Sequence, residues 1–320
     1  MILELLVGVA ALIVIVQVTR LVLSDCDLTL QWAEKFGKKV GSLKGQVVWV
    51  TGASSGIGEA LVYRLAVAGC KLVLSARRKE ELENVKEQCV LMGPVKKEDI
   101  LVLPLDSVKF DTHSAAVQTV LKHFGHIDIL VNNAGRSQRA AWLETSVEVD
   151  RQILEVNVLG VLSLTKSVLP HMKERGQGQV VVTSSVAGKL GAPFSGSYTG
   201  SKHALHGWFE TLRVEGNEFN LNVTMLCPGP VFSNLLETAF TEQPGKVVGG
   251  SMKEGEKRMA TERCAELCAV AIANKLDEAW ISLQPILISL YAAQYMPTVF
   301  RSVMKGIGMK QLRKLREGQE

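Results

Sequence analysis

A glycine-rich loop with the sequence TGASSGIG, residues 51–58, lies between a short apolar run and a helical stretch. Gly52, Gly56 and Gly58 carry no Cβ atom, so the backbone can turn tightly there and approach a bound group closely. The start of a helix presents free N–H groups and the positive end of the helix dipole, which favour an anion. Three glycines can also form an ordinary turn. In this strand–loop–helix setting, however, the pattern favours a dinucleotide pyrophosphate, although the spacing is G-xxx-G-x-G rather than G-x-G-xx-G.

Short apolar runs alternate with helical stretches along most of the chain. Runs that are apolar throughout and separated by helices are typical of a parallel sheet covered on both faces. The sequence therefore predicts an α/β fold, a doubly wound parallel sheet of the Rossmann type in a single domain over 45–285, with ligands at the carboxyl edge of the strands. The predicted strands are 46–50, 72–76, 100–105, 127–131, 180–184 and 223–226, and the predicted helices are 59–68, 79–91, 112–124, one within 145–170, 199–217 and 261–275.

The composition is that of a folded protein with a large core. Hydrophobic residues make up 47% of the 320 residues and charged residues 21%, whereas disordered chains combine low hydrophobicity with high net charge. The net charge is only +4, and no Lys/Arg run is interleaved with aromatic residues, so we expect no nucleic-acid partner. Cys264 and Cys268 lie one helical turn apart without a nearby pair of histidines. We therefore expect neither a metal ion nor a disulfide framework.

The first 23 residues, MILELLVGVAALIVIVQVTRLVL, are almost continuously apolar. A helix of about 20 residues spans the roughly 30 Å hydrocarbon core of a bilayer. No basic stretch precedes the run and no small-residue cleavage site follows it, so a retained anchor at 1–23 is favoured over a cleaved secretory signal, which stays an alternative. The nearby basic residues follow the run, which favours a cytoplasmic body but leaves the side of the membrane open. A linker is predicted at 24–44, where Trp32 and Phe36 can meet the membrane interface.

The second predicted strand ends in Ser75-Ala76-Arg77-Arg78, without an acidic residue. A cofactor that lacks the 2′-phosphate is usually held there by an Asp or Glu bonded to the ribose hydroxyls. Guanidinium groups instead suit a phosphate dianion, although a solvated pair of arginines is the alternative. The strand end therefore favours NADP(H) over NAD.

Tyr198 and Lys202, in the sequence SYTGSK, lie four residues apart on one face of a predicted helix. A free phenol has a pKa of about 10, so it needs a nearby cation to act as an acid–base group at neutral pH. Ser185 follows a predicted strand at the ligand edge, where its hydroxyl can bond a substrate carbonyl oxygen while Tyr198 delivers a proton. A Tyr-xxx-Lys pair by itself is common by chance, so Ser185 adds the necessary context.

These motifs, taken in order, resemble the short-chain dehydrogenase/reductase family over about 45–285. They are TGASSGIG, Asp106, NNAG at 132–135, Asn157, Ser185, Tyr198-xxx-Lys202 and PGPVFS at 228–233. The resemblance implies an oxidoreductase that moves a hydride between a nicotinamide dinucleotide and a carbonyl or alcohol. The catalytic residues that it implies are Asn157, Ser185, Tyr198 and Lys202, with Asn157 completing a proton relay through water and Lys202.

The resemblance also implies which residues hold the cofactor. Asp106 corresponds to a contact with the adenine, NNAG supports the central strand, and the loop from Pro228 to Ser233 corresponds to a contact with the nicotinamide amide. The predicted cofactor-binding residues are Gly52, Ser54, Ser55, Gly56, Ile57, Gly58, Arg77, Arg78, Asp106, Asn133, Ala134, Gly135, Tyr198, Lys202, Pro228, Gly229, Val231 and Ser233.

Within the family, the leading anchor and the long carboxyl terminus resemble endoplasmic-reticulum reductases of the retinoid and steroid type. This implies an endoplasmic-reticulum membrane location and a lipophilic carbonyl or alcohol substrate, such as a steroid, a retinoid or a xenobiotic carbonyl. Two alternatives stay open: an NAD-dependent alcohol dehydrogenase of the same fold, and a membrane scaffold that binds a dinucleotide without turnover.

The carboxyl-terminal extension at 286–320 begins apolar and ends basic, with Lys305, Lys310, Arg313, Lys314 and Arg316. Such a pattern suits an amphipathic helix on an anionic bilayer, or equally a helix packed on the partner of a homodimer. The polar, glycine-rich stretch 241–256 is predicted to form part of a lid. Asn222 begins a glycosylation sequon at the start of a core strand, where access is poor.

Overall fold

A computed structural model describes residues 2–250, 252, 255–307 and 311, and its centre is a parallel sheet. The strands are β1 (Val47–Thr51), β2 (Lys71–Ser75), β3 (Ile100–Val102), β4 (Ile129–Asn132), β5 (Gly178–Thr183), β6 (Leu221–Pro228) and β7 (Glu278–Ile281). Their order in the sheet is β3-β2-β1-β4-β5-β6-β7. The chain therefore reverses its direction of travel across the sheet between β1 and β4. The crevice at such a switch point is where open α/β sheets bind ligands.

Helices cover both faces of this sheet. The helices in the described residues are α1 (Ile2–Val22), α2 (Leu28–Phe36), α3 (Gly56–Val67), α4 (Lys79–Met92), α5 (His113–Phe124), α6 (Val147–Leu154), α7 (Gly160–Arg175), α8 (Gly196–Gly216), α9 (Thr261–Ala273), α10 (Ile286–Tyr295) and α11 (Pro297–Gly306). Every residue of β1 is buried, because Val48 and Val50 pack into one core and Val47 and Trp49 into the other. The predicted doubly wound fold is confirmed.

The last strand and the second helix are absent from the sequence-based prediction. β7 pairs with β6, in register from Met225 opposite Glu278, and it has only four residues. Helix α2 lies within the predicted linker 24–44, but this segment is packed rather than free. Leu30 of α2 is fully buried, and Arg263 of α9 forms ion pairs with Asp25 and Glu34.

The packing of 24–44 has a clear physical cause. The Asp27 carboxylate accepts hydrogen bonds from the amides of Thr29 and Leu30 at the start of α2 and from the amide of Trp280 in β7. Cys26 also forms an antiparallel bridge with Ile281. The segment thus covers the exposed edge of β7, which would otherwise present unpaired backbone groups. The domain boundaries themselves stay predictions.

Two helical stretches are long and apolar enough to cross a membrane, 4–22 and 147–175. The second is partly buried against the sheet and includes α7, so it belongs to the core. The first is exposed along its length. Its carboxyl-terminal end contacts the domain, where Gln284 Nε2 donates a 2.7 Å hydrogen bond to the carbonyl of Leu21.

The carboxyl-terminal extension begins with α10 and α11. Leu287 and Leu290 of α10 are buried, whereas α11 has no buried residue in the described part of the chain. Among the predicted basic residues of the tail, Lys305 is exposed on α11. Lys310, Arg313, Lys314 and Arg316 lie outside the described residues.

Candidate active site

The glycine loop connects β1 to α3 at the switch point of the sheet. Gly52 and Gly56 have positive φ angles of 65° and 59°, which glycine adopts without strain. A Cβ atom on Gly58 would lie 2.2 Å from the carbonyl oxygen of Gly52 and 2.4 Å from Asn133 Nδ2. Gly58 therefore packs against Gly52 and Asn133 at a distance that no residue with a side chain could reach. The loop ends at the start of α3. Ser54, Ser55 and Ile57 complete it and are partly buried. This arrangement fits a dinucleotide pyrophosphate.

The NNAG segment after β4 holds the glycine loop in place. Asn133 Nδ2 donates hydrogen bonds to the carbonyls of Thr51 and Gly52, and Thr51 Oγ1 accepts from the amides of Asn133 and Ala134 at 3.0 and 3.1 Å. Thr183 Oγ1 donates to Asn133 Oδ1 at 3.2 Å. The Asn133 side chain thus supports the loop from behind instead of facing the crevice.

The ends of β2 and β3 form the adenosine side of the crevice. Arg77 and Arg78 are both exposed, and Arg78 lies 3.7 Å from Glu81 in an ion pair. Arg136, which follows NNAG, faces Arg77. Burial lowers the pKa of the Arg136 guanidinium, the charge of Arg77 lowers it further, and Asp106 opposes this. Arg77 and Arg136 thus bring two positive charges to this side, and the carboxylate of Asp106 is near enough to oppose their mutual effect.

Tyr198 and Lys202 lie on the buried face of α8. Lys202 Nζ is 5.7 Å from the centre of the Tyr198 ring and donates a 2.7 Å hydrogen bond to the carbonyl of Thr183 at the end of β5. Burial lowers the pKa of Lys202 to about 8. A cation that is fixed beside a phenol stabilises the phenolate, so this pair has the geometry of an acid–base group.

Asn157 lies in a π-helical turn, Glu155–Leu159, that joins α6 to α7. Such turns occur frequently at functional sites. Its Oδ1 accepts a 2.7 Å hydrogen bond from the Arg136 amide, and its Nδ2 donates to Ser201 Oγ at 3.0 Å. Ser201 Oγ in turn donates to the carbonyl of Tyr198. A Cβ atom on Gly135 would lie 3.2 Å from Asn157 Oδ1 and 3.5 Å from Lys202 Nζ, so Asn157 is next to the lysine.

Ser185 lies two residues beyond the end of β5, whereas the sequence places it directly after a strand ending at Ser184. Its hydroxyl donates to the Pro228 carbonyl at 3.2 Å and accepts from the Ala187 amide at 3.1 Å. These bonds fix the serine at the carboxyl edge of the sheet. Ser185 is 8% exposed, as is Tyr198.

The loop after β6 closes the crevice from the other side. Gly229 packs so closely on Ser282 that a Cβ atom would lie 2.2 Å from the Ser282 hydroxyl. Ser233 faces the glycine loop, since a Cβ atom on Gly56 would lie 3.2 Å from Ser233 Cβ. Val231 is buried and bridges to Met259, so its side chain belongs to the core and only its backbone can face the crevice.

A cluster of titratable groups lies behind the catalytic helix. His206 Nε2 is 3.0 Å from Ser184 Oγ and 3.8 Å from Cys227 Sγ. Burial alone would raise the pKa of Glu278, but hydrogen bonds with His206 and Trp280, together with the charge of Lys189, lower it to about 2. Both oxygens of the Glu278 carboxylate therefore have hydrogen-bonding or charged partners. That the chain holds no metal ion stays a prediction.

Several residues of the site carry no sequence signal that identifies them. The Thr51 hydroxyl accepts from the Asn133 and Ala134 amides. The Thr183 carbonyl accepts from Lys202, and the Ser201 hydroxyl donates to the Tyr198 carbonyl. Each of the three is a common residue type, and its hydrogen bond is not visible in the sequence. Arg136 and Arg139 follow the NNAG motif directly, and two arginines so close to a predicted ligand edge are a signal that could have been used.

The motifs and the geometry together define a short-chain oxidoreductase. A family profile described as short chain dehydrogenase matches residues 46–244. The chain belongs to the short-chain dehydrogenase/reductase family, whose members bind a nicotinamide dinucleotide and act on small molecules.

Two mammalian members of the family are similar to this chain in sequence. Dehydrogenase/reductase SDR family member 7 from Homo sapiens is 47% identical over 320 residues, which cover 99% of this chain and 94% of the human protein. The protein of the same name from Mus musculus is 47% identical over 296 residues, 92% of this chain and 87% of the mouse protein. The chain is therefore similar to these proteins over nearly its full length, including the amino-terminal segment.

Solved structures share the fold. An alcohol dehydrogenase from the archaeon Thermococcus sibiricus, complexed with 5-hydroxy-NADP, is 28% identical with a TM-score of 0.64, over 74% of this chain and 96% of that one. A short-chain dehydrogenase from Streptomyces avermitilis is 28% identical with a TM-score of 0.66, over 82% of this chain and 98% of that one.

Proposed function

We propose that this chain is an NADP(H)-dependent reductase of a lipophilic carbonyl, with Tyr198 as the general acid and base. The observation that carries the proposal is the placement of Tyr198 beside the buried ammonium group of Lys202, which is itself fixed on Thr183 at the sheet edge. Ser185 is two residues beyond Thr183, and the glycine loop starts at the end of β1, which is separated from β5 by β4 alone. The acid–base pair, the hydroxyl and the anion site thus share one crevice.

Each residue has a role in the reductive direction. The bound nicotinamide supplies the hydride to the carbonyl carbon. The Ser185 hydroxyl turns its proton from the Pro228 carbonyl to the substrate carbonyl oxygen and so fixes the position of that oxygen, and Tyr198 donates the proton to it. Lys202 stabilises the phenolate that remains after this transfer. Asn157 positions the water and Lys202 through which a new proton reaches Tyr198. In the oxidative direction Tyr198 begins as the phenolate and accepts the proton.

The preference for NADP(H) is supported by Arg77 and Arg136. Two guanidinium groups that repel one another without a bound anion favour a ligand with a phosphate dianion between them. The solved relative with a bound NADP analogue has the same fold. The preference is tested by measuring the dissociation constants of NADPH and NADH and comparing them. Equal constants would support the NAD-dependent alternative instead.

The lipophilic substrate is supported by the apolar rim of the site. A Cβ atom on Gly196 would lie 2.9 Å from the indole ring of Trp142, so this ring lies over the first turn of α8, two residues before Tyr198. Trp142 and Leu143 are 81% and 94% exposed. Phe240 packs under the guanidinium of Arg136 at 4.7 Å and directly precedes the stretch 241–256. We propose a lid role for this stretch, of which residues 251, 253 and 254 lie outside the described residues.

The test of the function is turnover by the purified full-length protein. Steroids, retinoids and small carbonyls are offered with NADPH or NADH, and oxidation of the cofactor is followed. Turnover of a lipophilic ketone or aldehyde that disappears in Tyr198→Phe supports the proposal. Cofactor binding without turnover of any member of the panel would favour the non-catalytic scaffold.

We also propose that α1 anchors the protein in the endoplasmic-reticulum membrane. The support is an exposed apolar helix of spanning length whose carboxyl-terminal end is joined to the domain at Leu21. Fluorescence microscopy of the full chain beside an endoplasmic-reticulum marker tests the location. Glycosylation mapping at an engineered amino-terminal sequon would report the side of the membrane.

A homodimer stays a prediction. The groove between α7 and α8 offers an apolar face for such a contact, with Trp208 half exposed beside Leu162, Leu169 and Leu212. Light scattering of the detergent-solubilised protein measures the oligomeric state.

A further inference from the structure

A guanidinium group lies at the start of the helix that carries Tyr198. Arg139 Nη1 donates hydrogen bonds to Ser195 Oγ at 2.7 Å, to Ser137 Oγ at 3.0 Å and to the carbonyl of Gln138 at 3.1 Å. These three acceptors are neutral. Ser195 directly precedes the first residue of α8. The positive charge is therefore attached to the amino-terminal turn of the catalytic helix.

The backbone around Arg139 is held from two sides. The Arg139 amide donates to the carbonyl of Phe240 at 2.9 Å, and the Ala140 amide donates to the carbonyl of Phe194 at 3.1 Å. Ser195 Oγ donates to the carbonyl of Gln138 at 2.8 Å. These contacts fix the segment 137–140 against both the start of α8 and the start of the proposed lid, so the guanidinium has a defined position.

The charge of Arg139 is placed where it costs stability. The amino terminus of a helix carries a partial positive charge, so a cation there is repelled. Burial lowers the pKa of the Arg139 guanidinium and the charge of Arg258 lowers it further, while the phenol of Tyr198 raises it. Tyr198 lies in the same first turn of α8, three residues after the Ser195 that Arg139 contacts, so its ionised form would place a negative charge close to this cation. Costly charges coupled to an acid–base group are typical of functional sites.

We propose that Arg139 is a positioning residue that stabilises the deprotonated form of Tyr198, as a second cation on a different element from Lys202. The inference rests on the proposed acid–base role of Tyr198. Arg139 itself exchanges no proton. Its charge lowers the free energy of the phenolate, which is the state that exists after reduction and before oxidation. Lys202 lies on α8 itself, 5.7 Å from the centre of the Tyr198 ring, whereas Arg139 belongs to the segment after NNAG and contacts the start of α8 through Ser195.

Other titratable and charged groups lie on α8 and on the elements packed against it. The Arg139 variants leave all of these groups unchanged, so a difference among the Arg139 variants reports residue 139. They are Lys202 and His206 on α8 itself, Lys189 after β5, Cys227 on β6, Glu278 on β7, Arg258 and Glu256 on the segment before α9, and Glu148, Arg151 and Glu155 at α6.

The test follows the ionisation of Tyr198 directly, without a substrate. The chain has four tyrosines, and burial raises the pKa of Tyr63 and Tyr291. The ultraviolet absorbance of phenolate is titrated in full-length protein in detergent, and the titration of the Tyr198→Phe variant is subtracted. In Arg139→Gln we expect the Tyr198 phenolate to appear about one pH unit higher than in the wild type.

Four further variants separate the effect of the charge from an effect on structure. Arg139→Lys keeps the positive charge, so its Tyr198 phenolate should appear at a pH close to that of the wild type. Ser195→Ala keeps the charge but removes its 2.7 Å hydrogen bond, so its titration should stay near that of the wild type. Arg151→Gln, which removes an exposed guanidinium paired with Glu148, is the matched surface control. Arg139→Met supplies a second neutral variant of similar length if Arg139→Gln fails to fold.

The inference would be overturned if Tyr198 titrated in the neutral variants as it does in the wild type. It would also be overturned if Arg139→Lys shifted the Tyr198 titration as much as Arg139→Gln does. These outcomes differ from a failure of the proposed function. If Tyr198→Phe keeps its turnover, the acid–base role itself is wrong. If Tyr198→Phe is inactive and the neutral variants titrate like the wild type, only the role of Arg139 is wrong.

Discussion

The ammonium group of Lys202 donates a 2.7 Å hydrogen bond to the carbonyl oxygen of Thr183, the last residue of β5. Lys202 is only 4% exposed, and the bond holds it at the sheet edge beside Tyr198. Burial of a charge that has a single neutral acceptor costs free energy of folding, which is why the pKa of this lysine falls. The buried charge of Lys202 therefore lowers the free energy of unfolding, so its presence is explained by function and not by stability.

We expect Lys202→Met to stabilise the protein near neutral pH while it abolishes turnover. The folded-state pKa of Lys202 is about 8, below the ordinary value of 10.5, so between these pH values the unfolded chain binds more protons. The wild type therefore gains stability relative to the variant as pH rises from 8 to 10.5, by at most about 3 kcal/mol. Denaturant unfolding of both proteins across this range measures the difference. A difference that stays constant with pH would contradict the buried charge.

Tyr198→Phe should lower kcat by at least about 100-fold while cofactor affinity stays nearly unchanged. The substitution removes the proton donor but keeps the ring and the helix. Single-turnover kinetics with NADPH and cofactor titration by fluorescence measure the two quantities. Retention of most of kcat would remove Tyr198 from the chemistry.

Arg77→Ala should weaken NADPH binding much more than NADH binding. A lost charge-assisted contact with a phosphate is worth roughly 1.5–3 kcal/mol, which is about a 10- to 100-fold change in Kd. Arg77→Asp should have a larger effect because it adds a negative charge. Arg151→Ala on the exposed surface is the control. Equal losses for the two cofactors would show that Arg77 does not read the 2′-phosphate.

Gly58→Ala should open the glycine loop and weaken the binding of either cofactor. Its Cβ atom would lie 2.2 Å from the Gly52 carbonyl oxygen, so the loop and Asn133 must move apart, at a cost of about 1–3 kcal/mol. Gly41→Ala, whose Cβ atom would meet nothing within 4 Å, is the matched control. Thermal unfolding and cofactor titration check both variants, and an unchanged Tm in Gly58→Ala would argue against the close packing.

Deletion of residues 1–23 and deletion of residues 1–37 should have different effects. The shorter deletion removes the exposed helix α1, so the protein should become extractable by alkaline carbonate while its Tm changes little. The longer deletion also removes Leu30, Asp27 and the partners of Arg263, and it uncovers β7. It should cost about 3 kcal/mol or more. Equal Tm values would show that 24–37 is a free linker after all, and carbonate extraction of the full chain would argue against the anchor.

The alternating pattern of the sequence was sufficient for the fold class and for most of its elements. Strands buried on both faces must be apolar at every position, as β1 is, and this pattern is visible without any tertiary contact. The glycines of the loop carry a similar local signal, because positive φ and close backbone approach are requirements of single residues. Tyr198 and Lys202 could be paired for the same reason, since four residues always bring two side chains to one helix face.

The short elements could not be predicted in this way. β7 has four residues and begins with Glu278, and its place in the sheet depends on pairing with β6. Helix α2 follows a membrane-like helix in sequence and resembles a connector in composition. It is ordered by Asp27 and Arg263, whose partners on β7 and between 25 and 34 lie up to about 250 positions away along the chain.

The sequence by itself determined the residues with local requirements: the glycines of the loop, the apolar strands, and the Tyr198–Lys202 pair. Only the folded chain brought Thr183 to Lys202, Ser201 to Asn157, and Arg139 to the start of α8. Each of these contacts joins segments that are distant in sequence, and each partner is a residue type that occurs throughout the chain. Side-chain pairing across a sheet edge depends on register, crossover direction and the exact ends of elements, and none of these leaves a periodic signal in the sequence.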